Sequence, residues 1–76
     1  MTMQEIRQAH HAEPFHPFTI RMADGRILRV PHPDFLLTPP TGRTIVVHMP
    51  DDSHAIIDLM LVAELEFKAN GSSKRR

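Results

Sequence analysis

The segment around Asp24-Gly25 constrains this chain most, because it separates two runs in which apolar and polar residues alternate. An Asp-Gly dipeptide between two alternating runs is a strong signal for a β-hairpin. The apolar positions recur at every second residue on both sides of the dipeptide, namely Phe18, Ile20, Met22, Leu28 and Val30. We therefore predict two antiparallel strands whose apolar side chains share one face.

The length of the loop decides whether the two arms can share that face. A two-residue loop would place Ile20 opposite Arg29, whereas a three-residue loop over residues 23–25 places Ile20 opposite Leu28. A shift of one residue in register moves every side chain of a strand to the other face. Only the longer loop keeps arginine out of the core, so we predict a type I turn with a bulge at Gly25 in the left-handed region.

A short helix is predicted before the hairpin. Thr2 and Glu5 have the spacing of a capping box, and Met3 and Ile6 begin an apolar stripe at helical spacing. The prolines that follow the stripe bar its continuation. We expect a helix over residues 3–12 that packs its stripe on the end of a sheet.

Beyond the hairpin, turn residues separate short apolar segments. Residues 35–38 are predicted to resume the ladder of the hairpin after the interruption at residues 31–34, and further strands are predicted over residues 43–49 and 54–59. Residues 59–62 could extend the last of these strands or start a helix. The alternation of Leu65 and Phe67 with acidic residues favours a short final strand after a tight turn. Together with the hairpin, these segments make five short strands in total. In a flat sheet, five strands would leave two exposed edge strands, and closing the sheet into a barrel shortens or removes these edges. We expect a mostly β fold, a short N-terminal helix followed by a five-stranded, strongly bent antiparallel sheet or a small SH3-like or Sm-like barrel. Residues 1–68 form this single domain, and residues 69–76 are predicted to be a disordered basic tail.

The small size of the chain favours association with a partner. With 76 residues and no cysteine, the chain buries only about 60% of its unfolded surface, and small domains add stability by self-association. Both strands at residues 43–49 and 54–59 carry apolar side chains on two faces. We predict a non-enzymatic β-barrel module for protein–protein contact, a homo-oligomer or a binder of another protein. Its possible interface residues are Phe15, Val46, Ile56 and Met60. The alternative for Phe15 is that its ring packs the helix onto the barrel.

An RNA-binding role is the alternative, with possible contacts from Arg21, Arg29 and His54. Nine basic residues balance nine acidic ones, and the chain has no Trp or Tyr, whereas RNA binders use a basic excess and exposed aromatic rings. In a five-stranded barrel the first strand usually lies beside the last. Arg21 is therefore expected to pair with Glu64 or Glu66, which leaves RNA disfavoured.

Two resemblances accompany these patterns. The segment over residues 13–18, with Ala23-Asp24-Gly25-Arg26 and His32-Pro33-Asp34-Phe35, is similar to a group of small uncharacterised bacterial proteins, which implies no known activity. The order of elements resembles that of the bacterial Sm-like RNA chaperone Hfq, as does His54-Ala55-Ile56. Ser53 stands where that family has a phosphate-binding lysine. This second resemblance implies a ring-forming barrel.

The six histidines do not form a recognisable metal site. His10 and His11 are adjacent and diverge on a helix, whereas zinc needs three or four converging ligands. We therefore predict no metal and no cofactor.

Catalysis and a membrane location are not expected. The acidic, hydroxyl and histidine residues near Pro33 and Pro50 lie in turns, where such residues serve turn geometry. A small barrel filled by its own side chains offers little room for a substrate. We predict no enzyme activity and no small-molecule substrate. No apolar run approaches about 18 residues and no leader precedes the domain, so we expect a cytoplasmic protein.

Overall fold

The computed structural model describes residues 1–68, and the predicted tail lies outside them. Within these residues the chain forms an N-terminal helix and six strands in two antiparallel three-stranded sheets. In chain order the elements are α1 (Met3–His10), β1 (Phe18–Met22), β2 (Ile27–Val30), β3 (Leu36–Leu37), β4 (Thr44–His48), β5 (His54–Asp58) and β6 (Val62–Phe67), with 3₁₀ turns at Pro33–Phe35 and Leu59–Leu61.

The mostly β prediction is confirmed, but the expected count of five strands is wrong. The 3₁₀ turn Pro33–Phe35 interrupts the chain after β2, so β3 does not continue the ladder of β2 and pairs with β4 instead. The sheets have the orders β2-β1-β6 and β3-β4-β5. No closed barrel is found among residues 1–68, because no ladder joins one sheet to the other there.

The capping box at the start of α1 is confirmed. The hydroxyl of Thr2 accepts a hydrogen bond from the amide of Glu5 at 3.2 Å, and the amide of Thr2 donates to Oε1 of Glu5 at 2.9 Å. The helix ends at His10, earlier than predicted, where the amide of His11 donates to the carbonyl of Arg7. Its buried residues Ile6 and Ala9 face the core.

The hairpin has the predicted register. Ile20 lies opposite Leu28, and Phe18 lies opposite Val30. The amide of Met22 donates to the carbonyl of Arg26 at 2.9 Å, and Gly25 has a φ of +95°. These are the features of a three-residue loop with a glycine bulge, and they hold the arginines of both arms outside the core.

One core joins α1 to the inner faces of both sheets. Ile6, Ile20, Val30, Ile45, Val47 and Ile57 are its most deeply buried large side chains. The first strand lies beside the last, as predicted, because β1 pairs with β6. Each sheet therefore has one face in the core and one face directed outward.

Candidate interaction surface

An apolar row crosses the outward face of the sheet β3-β4-β5. Leu37 lies opposite Val46, and Val46 lies opposite Ile56, so the three side chains line up across the three strands. Leu37 is 62% exposed and Ile56 is 70% exposed, with the half-buried Val46 between them. We call these three residues the apolar row.

Consecutive β-branched residues place apolar side chains on both faces of this sheet. Successive side chains of a strand point to opposite faces. In β4, Ile45 and Val47 are buried and Val46 points outward; in β5, Ile57 is buried and Ile56 is exposed. The predicted division of these residues between two faces is confirmed.

Polar groups flank the apolar row on both sides along the strands. On one side His48 lies opposite His54, and the ring of Phe35 meets the ring of His48 with their centroids 5.8 Å apart. On the other side, a guanidinium nitrogen of Arg43 donates to Oδ2 of Asp58 at 3.0 Å. An apolar centre with a polar rim is the composition found in protein–protein interfaces.

A groove of about 590 Å³ borders the apolar row on the side of β3. Its walls include His10, Phe35 and His48, besides Leu37 and Val46 of the apolar row. The ring of His10 is held by two contacts of 2.8 Å, from Nδ1 to the hydroxyl of Thr38 and from Nε2 to the carbonyl of Pro33. One wall of the groove is therefore fixed to the helix.

Asp58 carries a negative charge at the end of β5. Its carboxylate accepts a hydrogen bond from the amide of Met60 at 2.9 Å, and it pairs with Arg43. The hydrogen bond from the amide of Met60 is the main cause that lowers the pKa of Asp58 below its ordinary value; desolvation opposes it, and the guanidinium of Arg43 lowers the pKa further. The side chain is thus ionised at neutral pH.

The backbone of β5 presents hydrogen-bonding groups on the side away from β4, which we call the outer edge of β5. Hydrogen bonds of 2.7 Å, from the amide of Met49 to the carbonyl of Ser53 and from the amide of Leu59 to the carbonyl of Arg43, bracket the β4–β5 ladder. Main-chain groups of successive residues point alternately to the two sides of a strand. The amides and carbonyls of residues 54, 56 and 58 therefore point to the outer edge. No other strand of residues 1–68 pairs with β5 on that side.

The predicted interface residues do not lie together. Val46 and Ile56 belong to the apolar row, and Met60 is 70% exposed in the 3₁₀ turn that follows β5. Phe15 packs against the core, with its ring centroid 5.9 Å from that of Phe18. Sequence reasoning missed Leu37. Because successive side chains of a strand point to opposite faces, only one of the two residues Leu36 and Leu37 can face the protein core, and the other must point outward.

The predicted RNA contacts are also divided. Arg21 donates to Oε1 of Glu66 at 2.7 Å and lies 3.7 Å from Glu64, so the expected ion pair is confirmed. Arg29 is exposed on β2 in the same sheet. His54 belongs to the other sheet. Two carboxylates therefore compensate the charge of Arg21.

The turn residues considered for catalysis contribute to turn geometry. Nδ1 of His32 accepts from the amide of Asp34 at 3.1 Å and caps the 3₁₀ turn. The carboxylate of Asp51 accepts hydrogen bonds from the hydroxyl and the amide of Ser53, which lower the pKa of Asp51 below the ordinary value.

Within residues 1–68 no three metal-ligating side chains lie together. No helix there is both long and apolar enough to span a bilayer.

Comparisons of the chain with protein-family models, with curated proteins and with solved structures return no match. What the chain does must therefore be inferred from its own surface.

Proposed function

We propose that the chain is a non-enzymatic β module for protein–protein contact and that it associates with a second copy of itself. The apolar row is the observation that carries this proposal. Single exposed apolar residues are common on monomers, but a contiguous set with a polar rim is typical of an interaction surface. Leu37 and Ile56 are each more than half exposed, although both stand on ordered strands.

The size of the chain supports association with a like copy. A domain this small buries a modest share of its apolar surface, and the chain has no cysteine for a disulfide. Fully burying one Leu or Ile side chain stabilises a fold or a complex by about 1.5–3 kcal/mol relative to leaving that side chain exposed. Contact between Ile56 of one copy and apolar side chains of a second copy would thus add to a small core by the same hydrophobic effect that forms it.

We also infer that the two sheets form an open barrel of the SH3-like or Sm-like kind. Three features support this arrangement: a core shared by both sheets, the pairing of β1 with β6, and the 3₁₀ turn between β5 and β6. Such a barrel keeps one interior, so the second apolar face on β4 and β5 lies outside it and is available to a partner.

Replacing Ile56 by lysine tests the proposal. Sedimentation equilibrium at micromolar to submillimolar concentration should give a mass above the 8.7 kDa of one chain for the unaltered protein. Ile56→Lys should return the mass to that of one chain, because an ammonium group would lie at the centre of the contact.

Ile27→Lys is the matched control. Ile27 is also an isoleucine on the outward face of a strand and is 53% exposed, but it lies in the other sheet. This variant should associate like the unaltered chain. A mass of one chain for the unaltered protein at every concentration would refute self-association.

The RNA-binding alternative has less support, since Arg21 is already paired with Glu66 and the formal net charge is zero. Filter binding with mixed single-stranded RNA at low salt should detect no complex tighter than tens of micromolar. Tighter binding that weakens steeply with added salt would favour the alternative, because phosphate binding releases counterions.

A further inference from the structure

We propose that two copies join through the outer edges of their β5 strands, antiparallel and about a two-fold axis at Ile56. The two three-stranded sheets then become one continuous six-stranded sheet. This inference rests on the proposed self-association and specifies its geometry and the residues that determine it.

The backbone of β5 suits this pairing. The amides and carbonyls of residues 54, 56 and 58 point to the outer edge, and an edge strand with such groups is a template for another strand. β5 holds no proline and no lysine, the residues that commonly block edge pairing. With a two-fold axis at Ile56, residue 56 exchanges both main-chain hydrogen bonds with its own copy, and residue 54 does so with residue 58 of the other copy.

The side chains of β5 are self-complementary in the same register. Ile56 meets Ile56 of the other copy, so the apolar rows of the two sheets become continuous. His54 lies opposite Asp58 of the other copy, and this pair occurs twice. Opposite charges directly across two strands stabilise their pairing, and like charges oppose it. The imidazole of His54 can donate a hydrogen bond to the carboxylate of Asp58, whose two oxygens accept from the amide of Met60 and from Arg43 and keep further lone pairs.

Two other contacts fit the observations less well. Pairing of β5 with β6 of another copy would set Ile56 beside Glu64 or Glu66, which are directed outward and bound to Arg21. Stacking of two apolar rows face to face would cover Ile56 but leave the outer-edge amides without strand partners. Of these three contacts, only the two-fold pairing gives both the backbone groups and the side chains of β5 suitable partners.

Variants of His54 test the register. His54 is exposed, so its replacement should leave each copy folded. His54→Asp places a carboxylate opposite Asp58 at both symmetry-related positions and should lower the association constant about tenfold. His54→Lys makes both pairs fully charged and should raise the constant severalfold. His16→Asp, the same change at an exposed histidine outside the strands, should leave it within about twofold.

Amide hydrogen exchange, followed by nuclear magnetic resonance, separates this geometry from association of another kind. The amides of residues 54, 56 and 58 should exchange at least tenfold more slowly at a concentration where the dimer predominates than at high dilution. Association without that protection, together with unchanged constants for the His54 variants, would overturn the edge pairing and leave self-association standing. A single-chain mass at every concentration would overturn both proposals.

Discussion

At the scale of single residues, His10 shows how one side chain can connect distant segments. The carbonyl oxygen of Pro33 only accepts hydrogen bonds, so Nε2 of His10 donates to it, and in the neutral ring Nδ1 accepts from the hydroxyl of Thr38. Thr38 is buried. The histidine therefore joins α1 to the chain on both sides of Leu36–Leu37 and satisfies a buried hydroxyl.

His10→Ala should lower the free energy of unfolding by about 1–3 kcal/mol, because it leaves the buried hydroxyl of Thr38 without its partner. It also removes one of the two hydrogen bonds that the carbonyl of Pro33 accepts, the other coming from the amide of Leu36. Urea unfolding followed by circular dichroism measures this change. His16→Ala is the matched control, since His16 is an exposed histidine outside the helix and the strands and its loss should change stability by less than about 0.5 kcal/mol. Equal effects of the two substitutions would show that the contacts of His10 do not stabilise the fold.

At the scale of elements, the first hairpin depends on the backbone conformation of Gly25. Its φ is +95°, and no atom lies within 4 Å of the position that an added Cβ would take. The cost of a side chain at this position would therefore come from the backbone itself and not from a collision with a neighbour. The bulge is what keeps Ile20 opposite Leu28.

Gly25→Ala should consequently reduce the free energy of unfolding by about 1–2 kcal/mol, since an L-residue is strained in the left-handed region. Gly25→Asn should reduce the free energy of unfolding by less than Gly25→Ala does, because asparagine adopts the left-handed conformation more readily than alanine. Thermal or urea unfolding of the two variants beside the unaltered chain gives the comparison. The account of the turn is wrong if alanine is tolerated as well as asparagine.

At the scale of the whole molecule, carboxylates in turns and caps link stability to pH. Hydrogen bonds from the backbone or from nearby side chains lower the pKa of four carboxyl groups, which are Glu5, Asp24, Asp51 and Asp58. A carboxyl group with a lowered pKa adds stability that is complete above its pKa in the unfolded chain. That stability is lost as the pH falls through the pKa in the folded chain.

The free energy of unfolding should therefore decrease when the pH is lowered from about 5 to about 3, across the ordinary range of Asp and Glu. Urea unfolding at constant ionic strength and at a concentration where single chains predominate measures the dependence. Asp51→Ala should make the dependence shallower, because it removes the carboxylate that accepts from the hydroxyl and the amide of Ser53. A free energy that is constant over this pH range would contradict the assignment.

The candidate interaction surface was only partly predictable from the sequence. The sequence predicted that Val46 and Ile56 point outward, because successive side chains of a strand point to opposite faces and their neighbours Ile45, Val47 and Ile57 face the core. Leu37 joins them through the pairing of β3 with β4, which periodicity does not specify. Phe15 was predicted as a possible contact, and the structure places it half-buried against the core.

The sequence by itself determined the features that depend on neighbouring residues. The capping box of Thr2 and Glu5, the bulge at Gly25 and the inward direction of Ile45 and Ile57 all follow from local backbone geometry and the two-residue period of strands. Only the tertiary structure decided that the strands divide into two sheets, that His10 reaches Thr38, and that an apolar row forms. These are contacts between distant segments, and their partners are chosen by packing around a shared core, which local periodicity does not encode.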